Sequence, residues 1–271
     1  MSERDPQILD LDKVIESKAG EKARKIPKFL IRWFKKFIHL DFINTFLKEG
    51  YVGVEFCENS LKYLGVELEV HGLENLPKDG RRYTFVSNHP LGAIDGVTLG
   101  ALIGRAYDGK VKYLLNDLLM NLKGMAPLGI PINKLGGQAR NLPRMVSEAY
   151  HSENQMLVFP AGLCSRKIDG KITDLPWTKS FIKLSRETDR DIIPIHFEGE
   201  NSKRFYRIAN LQKKLGLKFN FAMMFLPDEM YKSTGRKYRI TFGKPIPISS
   251  LDKSKSDYEW AQEIRAKAYE L

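Results

Sequence analysis

The chain has 271 residues, 42% of them hydrophobic, with 44 Lys+Arg against 33 Asp+Glu for a formal charge of +11. That length admits one large α/β domain or two small ones, and the apolar content excludes general disorder. The positive excess favours anionic partners: nucleic acid, acidic lipid or an acidic carrier protein.

Residues 1–25 are polar and read as an arm with one helix over 10–20. A basic amphipathic stretch follows at 29–40. Phe29, Leu30, Trp33, Phe34, Phe37 and Ile38 recur at helical spacing, and Arg32, Lys35 and Lys36 lie largely on the other side. Two readings stay open: a helix at the interface of an anionic membrane, or a helix packed on its own domain with solvated lysines. Two more helices are expected at 41–48 and 54–64. Residues 1–65 thus read as a helical, basic amphipathic extension and 66–271 as an α/β domain. The start of the chain has no apolar signal core, and no run of about 18 uncharged apolar residues marks a spanning helix.

The α/β pattern opens with a half-exposed strand at 66–70, a turn at 76–80 and a buried strand at 83–86. A helix over 95–106, a strand over 110–115 and a short helix over 117–123 come next. An apolar strand at 127–134 ends on Lys134. A helix spans 141–151 with Pro143 in its first turn, and a buried strand at 156–159 runs into a loop at 160–166. Then come a helix at 177–187, a strand at 191–197, and a helix followed by a strand over 205–231. A strand at 237–242 and a terminal helix at 256–269 complete the series. Such alternation predicts a mostly parallel sheet covered by helices on both faces. Ligands gather at the carboxyl ends of parallel strands, where the turn after 86, Lys134 and the 160–166 loop all fall.

The turn Ser87-Asn88-His89-Pro90-Leu91-Gly92-Ala93-Ile94-Asp95 carries one imidazole and one carboxylate. A carboxylate bonded to one ring nitrogen fixes the tautomer and raises the basicity of the other, so His89 and Asp95 are a candidate general-base pair. The competing reading makes His89 a turn residue and Asp95 a helix N-cap. Cys164 is a rival nucleophile, which would give a thioesterase or hydrolase. The two cysteines, Cys57 and Cys164, imply no disulfide framework and suit a reducing cytoplasm. His71 and His196 are a rival metal set with His89, but no His-x-x-x-His or Cys-x-x-Cys spacing supports one, and no metal is expected. The basic residues are dispersed and no nucleic-acid-binding signature appears, so no nucleic-acid partner is expected.

Four segments in order resemble the motif blocks of the glycerolipid (lysophosphatidate) acyltransferase superfamily. They are Asn88-His89-Pro90-Leu91-Gly92-Ala93-Ile94-Asp95, Gly129-Ile130-Pro131-Ile132-Asn133-Lys134, Phe159-Pro160-Ala161-Gly162-Leu163-Cys164-Ser165-Arg166 and Ile193-Pro194-Ile195-His196-Phe197-Glu198-Gly199. The resemblance implies a glycerolipid acyltransferase-like α/β fold, His89 as base and Asp95 as its partner. It also implies substrate-binding roles for Asn88, Lys134, Pro160, Ala161, Gly162 and Arg166. There are departures. The His89–Asp95 spacing is one residue longer than usual, Lys134 stands where Arg is common, and Ala161 stands where Glu is common. Lysine lacks the planar fork that arginine offers a phosphate. These changes are similar to those of the hemolysin-like bacterial N-acyltransferases of glycine-lipid and ornithine-lipid synthesis.

The resemblance therefore implies transfer of a (3-hydroxy)fatty acyl chain to the amine of a small amino acid, glycine first. The donor would be an acyl carrier protein or coenzyme A thioester, acting as co-substrate with no cofactor. The alternative is 1-acylglycerol-3-phosphate O-acylation in phospholipid synthesis. Either enzyme is expected in the cytoplasm, peripheral on the inner face of the cytoplasmic membrane. Oxyanion donors are expected among the first amides of the helix after Asp95 or those around Gly162.

Overall fold

The computed structural model describes residues 4–20, 25–116, 119–132, 137–216 and 221–271. Four helices lead: α1 (Leu11–Ala19), α2 (Lys28–Phe37), α3 (Leu40–Leu47) and α4 (Val54–Tyr63). Asp10 caps α1 by accepting the N–H groups of Asp12 and Lys13. Next come β1 (Glu67–His71), β2 (Tyr83–Ser87), α5 (Ile94–Ala106), β3 (Val111–Asn116), β4 (Gly129–Ile132) and α6 (Gly137–His151). Then follow β5 (Gln155–Val158), β6 (Arg166–Ile168), β7 (Lys171–Thr173), α7 (Ser180–Glu187), β8 (Asp191–Phe197) and α8 (Lys203–Lys214). The chain closes with α9 (Leu226–Tyr231), β9 (Lys237–Phe242) and α10 (Asp257–Tyr269).

Seven strands form one sheet in the order β1-β9-β8-β2-β5-β3-β4. The five from β8 to β4 are mutually parallel, β9 runs antiparallel to β8, and β1 runs parallel to β9. All five residues of β2 are buried without alternation, as a parallel strand covered on both faces requires. On one face Phe85, Leu157, Ile193 and Ile195 share a core with Phe46 of α3, Phe56 and Leu61 of α4, and Leu99 of α5. On the other, Val86 and Ile192 meet Trp177, Phe181 of α7 and Trp260 and Ile264 of α10. The first core runs unbroken across residue 65, so α3 and α4 pack as part of the same body as the sheet. Gly104 allows that approach: a Cβ there would lie 2.3 Å from a methyl carbon of Val54.

The connections locate the site. After β2 the chain passes over β5 to reach β3, and after β5 it passes over β2 to reach β8. The two chains leave in opposite directions, which opens a crevice at the carboxyl ends of β2 and β5.

Several elements depart from expectation. Where a strand is expected near 221–227, the chain forms a 3-10 turn, Phe221–Phe225, and then α9, with Pro227 in its first turn. A short apolar run does not distinguish strand from buried helix, and a proline near a helix start favours the latter. Helix α6 begins at Gly137, so Pro143 falls inside it. A 3-10 turn, Leu119–Asn121, stands within the expected 117–123 helix. Helix α7 starts at Ser180, and the segment before it is held by Trp177 N–H donating to the Gln262 side chain and Thr178 N–H to the Pro160 carbonyl. The β6–β7 hairpin is unforeseen, although Asp169 and Gly170, both at positive φ, are a strong hairpin dipeptide.

Candidate active site

β2 delivers the catalytic-type turn into the crevice. Asn88 anchors it: its side-chain N–H donates to the Phe197 carbonyl at 2.9 Å, and its Oδ1 accepts from Phe197 N–H at 2.7 Å. Asn88 is buried, with both ends of its amide spent on the end of β8. Gly92 lets the turn fold back on itself at φ +79°, where a Cβ would come within 3.2 Å of the Cys164 Cβ.

That turn brings His89 and Asp95 together. His89 Nδ1 lies 3.0 Å from Asp95 Oδ2. The carboxylate is fully buried, and the imidazole keeps 17% of its surface exposed. Asp95 also accepts the N–H groups of Leu91 at 2.9 Å, Gly92 at 3.1 Å and Gly96 at 2.9 Å. Burial alone would raise its pKa, but the imidazole and these amides outweigh burial and hold it below the usual carboxylate range. Burial likewise disfavours a charged His89, yet the Asp95 carboxylate prevails and leaves the imidazole more basic than usual. An ionised Asp95 accepts from Nδ1–H, which leaves the lone pair on Nε2. Among the described residues no hydrogen-bond partner occupies Nε2. The ring stacks on Phe159, with centroids 4.1 Å apart.

The 160–166 loop lies against this turn, tied by Ser165 N–H to the His89 carbonyl at 2.7 Å. Gly162 is exposed at φ +68°. The Pro160 carbonyl accepts from Thr178, and the Ala161 methyl belongs to the apolar cluster with Val86 and Trp177. Arg166 opens β6, and its guanidinium bonds the Cys164 and Ser165 carbonyls and lies 5.8 Å over the Phe205 ring. Of the residues expected to bind substrate, Gly162 and Arg166 therefore flank His89. Asn88, Pro160 and Ala161 brace the scaffold, and Lys134 lies outside the described residues. Of the expected oxyanion amides, Gly96 N–H is engaged by Asp95, Val97 N–H by the Ala93 carbonyl and Gly162 N–H by the Phe159 carbonyl.

The rival readings are placed as well. Cys164 is buried, and burial pushes its thiol up despite the Arg166 guanidinium, the opposite of an activated nucleophile. His71 sits on an edge strand paired with Glu69 at 2.9 Å, and His196 packs 5.5 Å from the Tyr269 ring. A pocket of about 330 Å³ opens beside the turn, lined by Pro90, Ser165, His196, Glu200 and Tyr269 among others. One residue of the site is not singled out in the sequence. Asp174, buried between β7 and α7, accepts the His89 main-chain N–H at 3.2 Å.

Residues 13–271 match a family model described as Acyltransferase. The chain is 52% identical over 266 residues to the lyso-glycine lipid O-acyltransferase of Bacteroides thetaiotaomicron, covering 97% of each chain. It is 50% identical over 266 residues to the lyso-glycine lipid O-acyltransferase of Phocaeicola vulgatus, covering 97% of this chain and 95% of that protein. Among solved structures, the 1-acyl-sn-glycerophosphate (LPA) acyltransferase PlsC of Thermotoga maritima superposes with a TM-score of 0.53 at 18% identity, covering 92% of this chain and 81% of that one. At that identity the likeness speaks for the fold.

Proposed function

The chain belongs to the acyltransferase family, and from that premise we propose that it moves a fatty acyl group from a thioester onto the hydroxyl of a lyso-glycine lipid. The observation that carries this reading is the His89–Asp95 pair, with Nε2 unpartnered among the described residues, at the crevice between β2 and β5. A hydroxyl is neutral near pH 7 and needs only a base. An amino acid's ammonium must first shed a proton. One imidazole therefore serves an alcohol directly, and both relatives carry an O-acyltransferase name. The acceptor in this proposal is thus oxygen, in place of the amine expected from the sequence.

The steps follow from the residues. Nε2 takes the hydroxyl proton while Asp95 stabilises the imidazolium. The oxygen attacks the thioester carbonyl, and the tetrahedral intermediate collapses with loss of the C–S bond. The departing thiolate takes the proton back from Nε2, and an ester and a free thiol leave. The donor is the thioester of an acyl carrier protein or of coenzyme A. Gly162 and Arg166 line the approach, and the guanidinium suits a phosphate or carboxylate.

Among the described residues no helix is long and apolar enough to cross a membrane. The proposed attachment is peripheral, on the cytoplasmic face, through α2, none of whose residues is buried. Phe29 is 65% and Trp33 61% exposed beside Arg32, Lys35 and Lys36, a composition that suits an anionic bilayer surface.

The deciding experiment supplies purified protein with an acyl thioester and, in separate reactions, a lyso-glycine lipid, free glycine and lysophosphatidate. The expected product is a doubly acylated glycine lipid that loses one chain in mild alkali and keeps the amide-linked one. An alkali-stable acylglycine from free glycine would restore the amine acceptor, and phosphatidate formation alone would move the protein to phospholipid synthesis.

A further inference from the structure

Asp174 is 1% exposed and its carboxylate makes no ion pair among the described residues. Three neutral donors hold it instead. Oδ1 accepts the His89 main-chain N–H at 3.2 Å and the Ser165 hydroxyl at 2.5 Å, and Oδ2 accepts Trp177 Nε1–H at 2.9 Å. With Ser165 N–H donating to the His89 carbonyl, these bonds close a ring through the catalytic turn, the 160–166 loop and the segment before α7. Helix α10 holds the main chain of Asp174 from the other side. Tyr269 Oη accepts its N–H at 2.8 Å, and Arg265 donates to its carbonyl at 3.0 Å.

We propose that Asp174 is a positioning residue for the His89 base, clamping the catalytic turn to the 160–166 loop and supplying a second negative charge to the imidazolium that forms when Nε2 is protonated. The proposal rests on His89 being that base. A buried carboxylate without a counter-ion is costly unless a positive charge comes near it. In this fold a permanent charge, the Arg265 guanidinium, lies on the main-chain side of Asp174, and a transient one forms on His89. The ionisable groups facing His89 are Asp95 from α5, Arg166 from β6 and Asp174. Cys164, whose thiol burial keeps neutral, lies behind Gly92. Those facing Asp174 are His89, Tyr269 and Arg265 from α10, and His196 from β8. Asp95 orients the ring directly. Asp174 acts through the main chain, with Oδ1 3.2 Å from the His89 nitrogen, inside the same buried interior, where charges are weakly screened.

The test is a titration of the ring-labelled histidines by NMR, run with steady-state rates. Asp174→Asn removes the charge and keeps an oxygen for the His89 and Ser165 donors. The His89 midpoint should fall, the acid limb of the rate profile should move with it, and kcat should drop on the order of tenfold with KM little changed. Ser165→Ala and Asp174→Glu keep the charge and loosen the clamp, so kcat should fall at an unmoved midpoint. A folded Asp174→Asn protein with the wild-type His89 midpoint overturns the proposal. If that variant does not fold, wild-type kcat in both charge-keeping variants overturns it. The titration needs no substrate. A shifted midpoint in a protein that transfers no acyl group would therefore retire the functional reading while leaving the coupling of Asp174 to His89 standing.

Discussion

His89→Ala removes the Nε2 that, alone among the described residues, the fold aims into the β2–β5 crevice. Acyl transfer should fall by about 10²–10⁴-fold with unchanged circular dichroism, because the ring is a minor part of the core. Asp95→Asn should cost nearly as much. Its amide cannot hold Nδ1–H and the three main-chain donors in the same way, so the tautomer is lost. A near-wild-type rate in either folded variant would remove His89 from the mechanism.

The pH dependence has a definite sign. In the proposed mechanism His89 works only when neutral, and its pKa is raised above 6.5 because the Asp95 carboxylate outweighs burial. The rate should therefore fall on the acid side with a midpoint above 6.5, read from kcat/KM against pH. Stability follows linkage. The raised imidazole pKa contributes stability in full below 6.5, and that contribution fades as pH rises through the folded-state value. The lowered Asp95 pKa contributes above 3.8 and is lost as pH falls through its folded-state value. Urea unfolding across this range checks both directions. His89 and Asp95 were legible because they lie in one short turn. Asp174 was not, because its contact with His89 spans 85 residues of chain and nothing local marks it. The motif position of Ala161 does not say which way its methyl points, and here it points into the core.

At the scale of elements, α2 was legible as a helix, and its period left open what its apolar face meets. The structure resolves part of that. Phe37 at its end packs edge-on against Phe225 at 5.2 Å, with Arg204 over both rings, while Phe29, Leu30 and Trp33 stay exposed. One end is anchored and the rest is free to meet a surface. Anionic vesicles should bind the protein and release it in high salt, at about 1 kcal/mol per basic residue near the surface. Phe29→Ala with Trp33→Ala should weaken sedimentation with such vesicles by about tenfold and leave the unfolding midpoint unchanged, since each buried ring is worth about 1.5–3 kcal/mol and these two are largely exposed. Equal binding to neutral and anionic vesicles, or none, would leave α2 without a membrane role. The strand expected near 221–227 failed for a related reason. Ala222, Phe225 and Leu226 pack with Phe205, Tyr206 and Ala209 of α8, and Phe225 also meets α2, all from a helical backbone, and composition alone does not show that.

At the scale of the whole molecule, the two ends of the parallel strands carry different duties. The carboxyl ends hold His89 and its neighbours. At the amino ends the sheet is closed by Arg190, a fully buried guanidinium just before β8. It donates to the carbonyls of Tyr150 at 2.9 Å, Ser152 at 2.9 Å, Asn154 at 2.8 Å and Tyr83 at 3.3 Å, joining the end of α6, the turn into β5 and the start of β2. Burial lowers its pKa to about 10, so it remains charged at neutral pH. Arg190→Leu would fill some of the space and leave those carbonyls without a donor. At about 1–3 kcal/mol for each buried acceptor left unsatisfied, the loss should reach about 3 kcal/mol or more and lower Tm by several degrees. Because the clamp sits at the opposite ends of β2 and β8 from His89, the protein that remains folded at low temperature should keep its kcat and its acid midpoint. Arg190→Lys keeps the charge but not the fork of donors, and should fall between. A loss of kcat at unchanged Tm would mean that the amino ends of the strands help to set the geometry of the base, and the division of duties would not hold.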